Sequence, residues 1–219
     1  MTTAVAEEPE IDEAAEKYSM ADLLHQLGDI PPSRVRMRPL PGTATIADVQ
    51  KHKLCELIDR TLVEKAMGQR ESQLSSYLVH LLNCFVLPAN AGIVFGPDAT
   101  MEILTGLVRL PDVAFISWSS LPGRKAPIEP VPNIAPDLAV EIISKGNSRA
   151  EMSRKRAEYF EAGVHLVWMI DRFKQTVAVY TAIDQFKTLT IDDALDGGDV
   201  LPEFSVKLRV LFGELDRHG

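Results

Sequence analysis

The sequence predicts an α/β fold in which helices flank a mixed β-sheet. Two apolar runs, at 113–117 and 138–144, lack polar alternation, which is typical of central strands covered on both faces. A helix predicted at 149–162 separates the second run from a strand at 166–170, and such a unit forms a right-handed parallel crossover. The strand at 176–180 follows a short turn and is expected to run antiparallel. The predicted sheet is therefore mixed.

Composition places the chain among ordinary globular proteins. It has 219 residues, 46% of them apolar, and a mean hydropathy near zero. No apolar run approaches the roughly 18 residues that a membrane span needs, and the N-terminus lacks a signal-peptide pattern. We therefore expect a cytoplasmic protein without a membrane partner. Cys55 and Cys84 lack disulfide or metal-ligand spacing and are expected to be reduced core cysteines.

Residues 1–44 are predicted to form an acidic tail and a proline-rich linker. The Ala- and Glu-rich residues 1–18 favour a solvated tail, disordered or partly helical. Ser19 starts a short predicted helix that reaches Leu27, and four prolines then stiffen the segment up to residue 41. This part carries −4 of the chain's net charge of −8, so the remainder can include a cleft with local basic residues that bind phosphate.

The folded domain is placed at 45–219. A short helix is predicted at 45–53, and 55–64 reads as a hairpin that turns at Asp59-Arg60. Leucines at helical spacing predict a long helix at 71–85, and 92–96 is a short strand.

The second half of this domain begins with a proline-rich exposed loop at 122–136. A capping-box pattern starts the helix at Ser148, and Gly163 suits the residue past its end. Gly197-Gly198 forms a turn, and 206–215 supplies a last strand and a short helix.

A carboxylate inside an apolar strand is the clearest functional signal. Glu141 lies within 138–144, where an ionised carboxylate costs several kcal/mol unless a cation meets it. A second acid, Asp112, precedes the run at 113–117, and Lys155 lies on the predicted helix. Two acids and a lysine can thus converge on one sheet edge, which is the minimal equipment for metal-assisted phosphodiester cleavage.

Three of the charged residues also have an interpretation that is purely structural. Asp112 alone fits a turn after Pro111. Lys155 can pair on the helix surface with Glu151, four residues earlier. Glu56 either borders a cleft or points outward from the hairpin. These alternatives stay open at the level of single residues.

Common catalytic motifs, among them the phosphate-loop lysine motif, HExxH, GxSxG and paired CxxC, are absent. Instead, three ordered segments resemble the Uma family of endonucleases: LPDVAFIS at 110–117, APDLAVEIIS at 135–144 and KRAEYFEAGV at 155–164. Shorter matches are CELID at 55–59 and WMID at 168–171. The resemblance spans about residues 45–215 and implies the restriction-endonuclease-like, or PD-(D/E)XK, fold.

The resemblance implies a metal-dependent endonuclease that hydrolyses phosphodiester bonds in nucleic acid, with DNA favoured. Asp112 and Glu141 would hold Mg²⁺, with Mn²⁺ as the alternative, and the carbonyl of Ile142 would be a third ligand. Lys155 would orient the attacking water or the phosphate. Glu71, at the start of its helix, would orient the metal's waters.

The chain departs from the family pattern in three places, one of which is Glu71-Ser72, where many members carry a histidine near the start of the first long helix. The usual lysine lies two positions after the acid, where this chain has Ile143. The assignment of Lys155 therefore takes the lysine as displaced onto the helix, with Lys145 as the competing candidate. Arg60 stands at the hairpin turn where the family commonly has glycine. The alternative function is a catalytically inactive nucleic-acid-binding or interaction protein on the same fold, and a homodimer is left open.

Overall fold

The computed structural model describes residues 19–216, so the predicted tail at 1–18 lies outside the described residues. The helices are α1 (Met20–Gln26), α2 (Ile46–Lys51), α3 (Gln69–Ala89), α4 (Arg149–Glu161) and α5 (Leu208–Gly213). The strands are β1 (Cys55–Ile58), β2 (Thr61–Glu64), β3 (Gly92–Phe95), β4 (Met101–Leu104), β5 (Leu107–Arg109), β6 (Val113–Ser117), β7 (Leu138–Ile142), β8 (Leu166–Asp171), β9 (Thr176–Ala182), β10 (Gln185–Leu189), β11 (Ala194–Gly197) and β12 (Leu201–Lys207). Within the described range, no helix combines the length and apolarity that crossing a membrane requires.

A six-stranded mixed sheet forms the centre of the protein, in the order β10-β9-β8-β7-β6-β3. β7 and β8 run parallel with α4 as their crossover, and the other neighbours are antiparallel. This confirms the predicted mixed α/β fold. A second sheet has the order β2-β1-β5-β4, and β11 pairs with β12.

Helices cover the central sheet on both faces. The buried side chains of α3 recur every four residues and pack with Trp168 of β8: Leu74, Leu78, Leu82 and Val86. On the opposite face, Tyr159 of α4 packs with Val167. Cys55 is buried as predicted, but the core location predicted for Cys84 is wrong, because its position on α3 falls off the buried stripe and its side chain is exposed.

The β1–β2 hairpin turns through Asp59 and Arg60, as predicted. Their φ angles of 48° and 55° are both in the left-handed region, which is the pattern of a type I′ turn. Arg60 thus adopts the conformation that a glycine would adopt more readily. The register still pairs Glu56 with Val63, so the turn aligns the two strands despite this residue.

Residues 19–44 pack against the body of the protein. α1 has the capping box of Ser19 with Asp22. Leu27 and Ile30 are buried in the same cluster as α4, and Val35 bridges to Val63 of β2. The segment that was predicted as a linker is attached to the sheet and to α4 by burial of Leu27, Ile30 and Val35.

Candidate active site

Asp112 and Glu141 meet where β6 and β7 lie side by side. The register pairs Val113 with Val140, and Asp112 precedes β6 while Glu141 follows Val140. The Asp112 amide donates to the Val140 carbonyl at 2.8 Å, and the Ile142 amide donates to Asp112 Oδ2 at 2.6 Å. The first two predicted site residues are therefore fixed by backbone pairing.

Lys155 is buried beside Glu141. Its Nζ lies 3.1 and 3.0 Å from the two Glu141 oxygens and 2.9 Å from Glu56 Oε1. Tyr159, one helical turn later, donates to Glu141 Oε1 at 2.6 Å. The Lys155 side chain is only 2% exposed, so it is not a solvated surface charge. The competing candidate, Lys145, is exposed in the loop after β7.

The interpretation of Lys155 as a surface partner of Glu151 is not what the structure shows. Glu151 instead forms a two-pronged pair with Arg34 of the N-terminal segment, with distances of 2.9 and 2.7 Å. Arg34 also donates to the carbonyls of Glu64 and Gly146. The first turn of the helix that carries Lys155 is therefore attached to the segment at 19–44.

Glu56 points inward and borders the same cluster. Its Oε2 accepts from Arg109 Nη1 at 2.7 Å, and its Oε1 accepts from the Leu110 amide at 3.3 Å. Arg109 also donates from Nε to Glu158 at 2.8 Å. Arg109, on β5, therefore connects β1 and α4 through these two carboxylates, and it shares Glu56 with Lys155.

Lys65, just after β2, is the cation next to Asp112. Its Nζ lies 2.8 Å from Asp112 Oδ1 and donates to the Pro97 carbonyl at 2.9 Å. Despite this proximity, Asp112 Oδ1 accepts no hydrogen bond of normal geometry within the described structure. It is a buried carboxylate oxygen whose close polar contact is the ion pair with Lys65.

The cluster contains three carboxylates, Glu56, Asp112 and Glu141, opposite three cations, Lys65, Arg109 and Lys155. Burial alone favours the neutral form of each group. The arrangement is tolerated because the charges are matched and lie within ion-pair distance.

The surroundings lower the pKa of Glu56 and raise the pKa values of Glu141 and Lys155. Burial raises the pKa of Glu56, but Lys155 and Arg109 outweigh it and bring the pKa to about 2. Burial also raises the pKa of Glu141, and the nearby Asp112 and Glu56 carboxylates add to it, so that Lys155 does not cancel the rise. Burial lowers the pKa of Lys155, but Glu141 and Glu56 raise it by more. Lys155 is therefore a fixed positive charge.

Replacing Glu56 by Gln is expected to lower the free energy of unfolding by about 3 kcal/mol at pH 7. The folded-state pKa lies below the ordinary value of 4.5, so the stabilisation is complete above that pH and is lost as the pH falls towards 2. Urea unfolding at several pH values between 7 and 3 measures the difference, which should shrink below pH 4.5.

The matched control for this prediction is Glu64→Gln on the same hairpin. Glu64 forms a half-exposed pair with Arg36, and its loss should cost less than about 1 kcal/mol. A stability difference for Glu56→Gln that stays constant down to pH 3 would contradict the assignment of Glu56 as a buried, ionised partner.

A cleft of about 440 Å³ opens beside the cluster, and Lys65 lies in its wall. Its charged lining comprises one acid, Glu71, and four cations: Arg34, Lys65, Lys145 and Arg172. Glu71 is buried, and its Oε1 accepts from Arg172 Nε at 2.6 Å. The structure thus places the predicted Glu71 in the wall of the cleft, paired with Arg172 and apart from the carboxylate cluster. Three of the cations are paired with carboxylates, Arg34 with Glu151, Lys65 with Asp112 and Arg172 with Glu71, so the wall of the cleft is rich in basic side chains that already have partners.

Comparison with protein-family models shows which family the chain belongs to. A family model, Uma2, described as "Putative restriction endonuclease", matches residues 46–210. The chain belongs to the Uma2 family. The match covers all three sheets of the described residues and the charged cluster, and it begins after the packed segment at 19–44.

A crystal structure of a protein described as "a putative nuclease belonging to DUF820", from Anabaena variabilis ATCC 29413, is similar to this Uma2 protein. The similarity covers 78% of this chain and 98% of that chain, with a TM-score of 0.68 and 24% sequence identity. It shows that the two chains share a fold. No curated protein matches this chain.

Lys65 and Arg109 of this Uma2 protein were not predicted as site residues from the sequence. The hairpin register contained a signal for Lys65: Glu56 pairs with Val63, so Lys65, two residues further, lies on the same face of the hairpin as Glu56. Arg109 is a charge within a short apolar strand, the same kind of signal as Glu141. Tyr159 was likewise not predicted as a site residue, although it lies one turn from Lys155 and shares its direction.

Proposed function

We propose that this Uma2 protein is a metal-dependent endonuclease that hydrolyses phosphodiester bonds in nucleic acid, with DNA as the favoured substrate. The observation that carries the proposal is the pairing of two buried carboxylates, Asp112 and Glu141, beside Lys155, with Asp112 Oδ1 in an ion pair with Lys65 and accepting no further hydrogen bond in the described residues. The adjoining cationic cleft supports a polyanionic substrate. The cytoplasmic location expected from the sequence is in keeping with such a substrate.

Asp112 and Glu141 would hold Mg²⁺ or Mn²⁺, with the Ile142 carbonyl as the third ligand. In residues 19–216, no group of three or more His, Cys, Asp or Glu side chains is arranged to hold a metal ion. Two carboxylates nevertheless fit Mg²⁺, which commonly binds to one or two carboxylates and keeps several waters. Bound there, the ion would acidify a water and offset charge on the scissile phosphate.

Lys65 neutralises Asp112 in the structure and would release it to a divalent ion. Two features favour this release. Lys65 retains the Pro97 carbonyl as an acceptor at 2.9 Å, and it lines the open cleft, where a phosphate can replace the lost partner.

Lys155 would act as a fixed charge that orients Glu141 and attracts a phosphate oxygen. Its ammonium lies within 3.1 Å of both Glu141 oxygens, and Tyr159 fixes one of them. Preorganised charges of this kind stabilise a transition state because they need no reorganisation during the reaction. Glu56 pairs with Lys155 and is itself paired with Arg109, so Glu56 and Arg109 would be positioning residues for Lys155.

A second candidate function, binding of nucleic acid without cleavage, is favoured by one observation. The three carboxylates are already balanced by three cations, and Lys65 occupies the position next to Asp112. If Lys65 did not move, the cationic cleft would bind a phosphate backbone without a metal.

A cleavage assay separates the two functions. Purified protein is incubated with supercoiled plasmid, single-stranded DNA or RNA, with Mg²⁺, Mn²⁺ or a chelator, and Glu141→Gln serves as the matched inactive variant. We expect cutting that requires the metal and is lost in Glu141→Gln. Cutting that persists in this variant would point to a contaminating nuclease, and no cutting of any substrate by folded protein would favour the binding function.

A further inference from the structure

The turn between β8 and β9 carries an exposed aromatic side chain next to Arg172, a residue of the cleft wall. Phe173 is 50% exposed and belongs to none of the hydrophobic clusters of the described residues. Its neighbour Arg172 lines the cleft. Packing of the core therefore does not explain why a phenylalanine stands here.

The turn that presents Phe173 is held in one conformation by Asp171. Asp171 Oδ1 accepts from the amides of Phe173 and Lys174, each at 3.0 Å, and Oδ2 pairs with Lys174 Nζ at 2.8 Å. Three hydrogen bonds donated to one carboxylate fix a short turn. The backbone at Phe173 is thus fixed, which limits the conformational entropy that is lost when a ligand contacts this residue.

Arg172 connects Phe173 to the wall of the cleft. Its guanidinium carbon lies 4.0 Å from the centroid of the Phe173 ring, and its Nε donates to Glu71 Oε1 at 2.6 Å. The guanidinium therefore covers one face of the ring, in cation–π geometry. The exposed remainder of the ring lies next to a cleft whose lining has four cations and one acid.

We propose that Phe173, supported by Arg172, stacks on an unpaired base of a nucleic acid whose backbone lies in the cleft. An aromatic surface beside a cationic groove is the arrangement by which proteins bind single strands. In a duplex, neighbouring bases cover both faces of each base, so this contact requires an unpaired base near the bound phosphates. The substrate class is thus nucleic acid with single-stranded character at the cleft. The inference rests on the proposed function for the identity of the ligand and does not depend on cleavage.

The test is a binding measurement in chelator, where no cleavage occurs. Fluorescence anisotropy of a labelled single-stranded oligonucleotide and of its duplex is measured with the full chain, Phe173→Ala and Phe173→Trp. We expect Phe173→Ala to weaken binding of the single strand by about 5- to 150-fold, the range measured for one base–aromatic stack. Phe173→Trp should retain the affinity, and binding of the duplex should change less than about twofold.

Phe186→Ala is the matched control, because Phe186 is also an exposed aromatic, at 59%, but lies on the edge strand β10. It should leave binding of both ligands unchanged. Equal affinity of wild type and Phe173→Ala for the single strand would overturn the inference, as would an equal loss for single strand and duplex. Phe173-dependent binding of the single strand without cleavage would overturn the proposed nuclease activity alone, and cleavage by a protein whose single-strand binding does not depend on Phe173 would overturn this inference alone.

Discussion

Replacing Asp112 by Asn is expected to lower the rate of metal-dependent cleavage by about 10³-fold or more. The amide keeps an oxygen that can accept from the Ile142 amide, so the contact between β6 and β7 survives. It removes the anionic Oδ1, the buried oxygen that pairs with Lys65. Cleavage rates under single-turnover conditions and Mn²⁺ binding by electron paramagnetic resonance should therefore fall together.

The control for this variant is Asp98→Asn, which changes the same charge at an exposed position. Cleavage and Mn²⁺ binding should stay at the wild-type level. Wild-type Mn²⁺ affinity in Asp112→Asn would show that the metal, if one binds, does not use this carboxylate.

Replacing Lys155 by Met is expected to lower the free energy of unfolding by about 3–5 kcal/mol, because it leaves the buried Glu56 and Glu141 without their shared cation. Cleavage should be lost as well. Urea unfolding measures the first effect, and Lys174→Met, which removes an exposed lysine from a surface pair, should cost less than about 1 kcal/mol.

The double variant Glu56→Gln/Lys155→Met separates stability from catalysis. Neutralising Glu56 restores the balance between carboxylates and cations in the cluster, while Arg109 keeps Glu158 and Tyr159 still donates to Glu141. We expect the double variant to be more stable than Lys155→Met and still inactive. A wild-type cleavage rate in the folded double variant would show that Lys155 serves only the stability of the cluster.

The sequence was sufficient for those parts of the fold that depend on local patterns. The β7–α4–β8 crossover followed from two apolar runs and a capped helix between them, and the Asp59-Arg60 turn followed from the hairpin pattern. The proline-rich segment was harder to interpret. Its packing depends on single apolar residues, such as Leu27, whose partners are distant in the chain.

The same limit applies to the site. Asp112, Glu141 and Lys155 were identified because a buried acid requires a cation and because ordered motifs resembled one family. Lys65 and Arg109 were not predicted because their ion-pair partners are determined by strand register and not by the spacing of residues along the chain. Arg109, for example, meets a carboxylate 53 residues earlier in the chain. For Glu71, the sequence indicated the helix start but not Arg172, which lies 101 residues later.

The most direct measurement is an anomalous difference map from a crystal of the protein soaked in Mn²⁺. If the protein is a metal-dependent nuclease, we expect a peak within coordination distance of Asp112 and Glu141. Lys65 should be displaced from Asp112 Oδ1, and Lys155 should stay beside Glu56. No peak at saturating Mn²⁺, with the Lys65–Asp112 pair intact at its present 2.8 Å, would contradict the proposed metal-dependent nuclease.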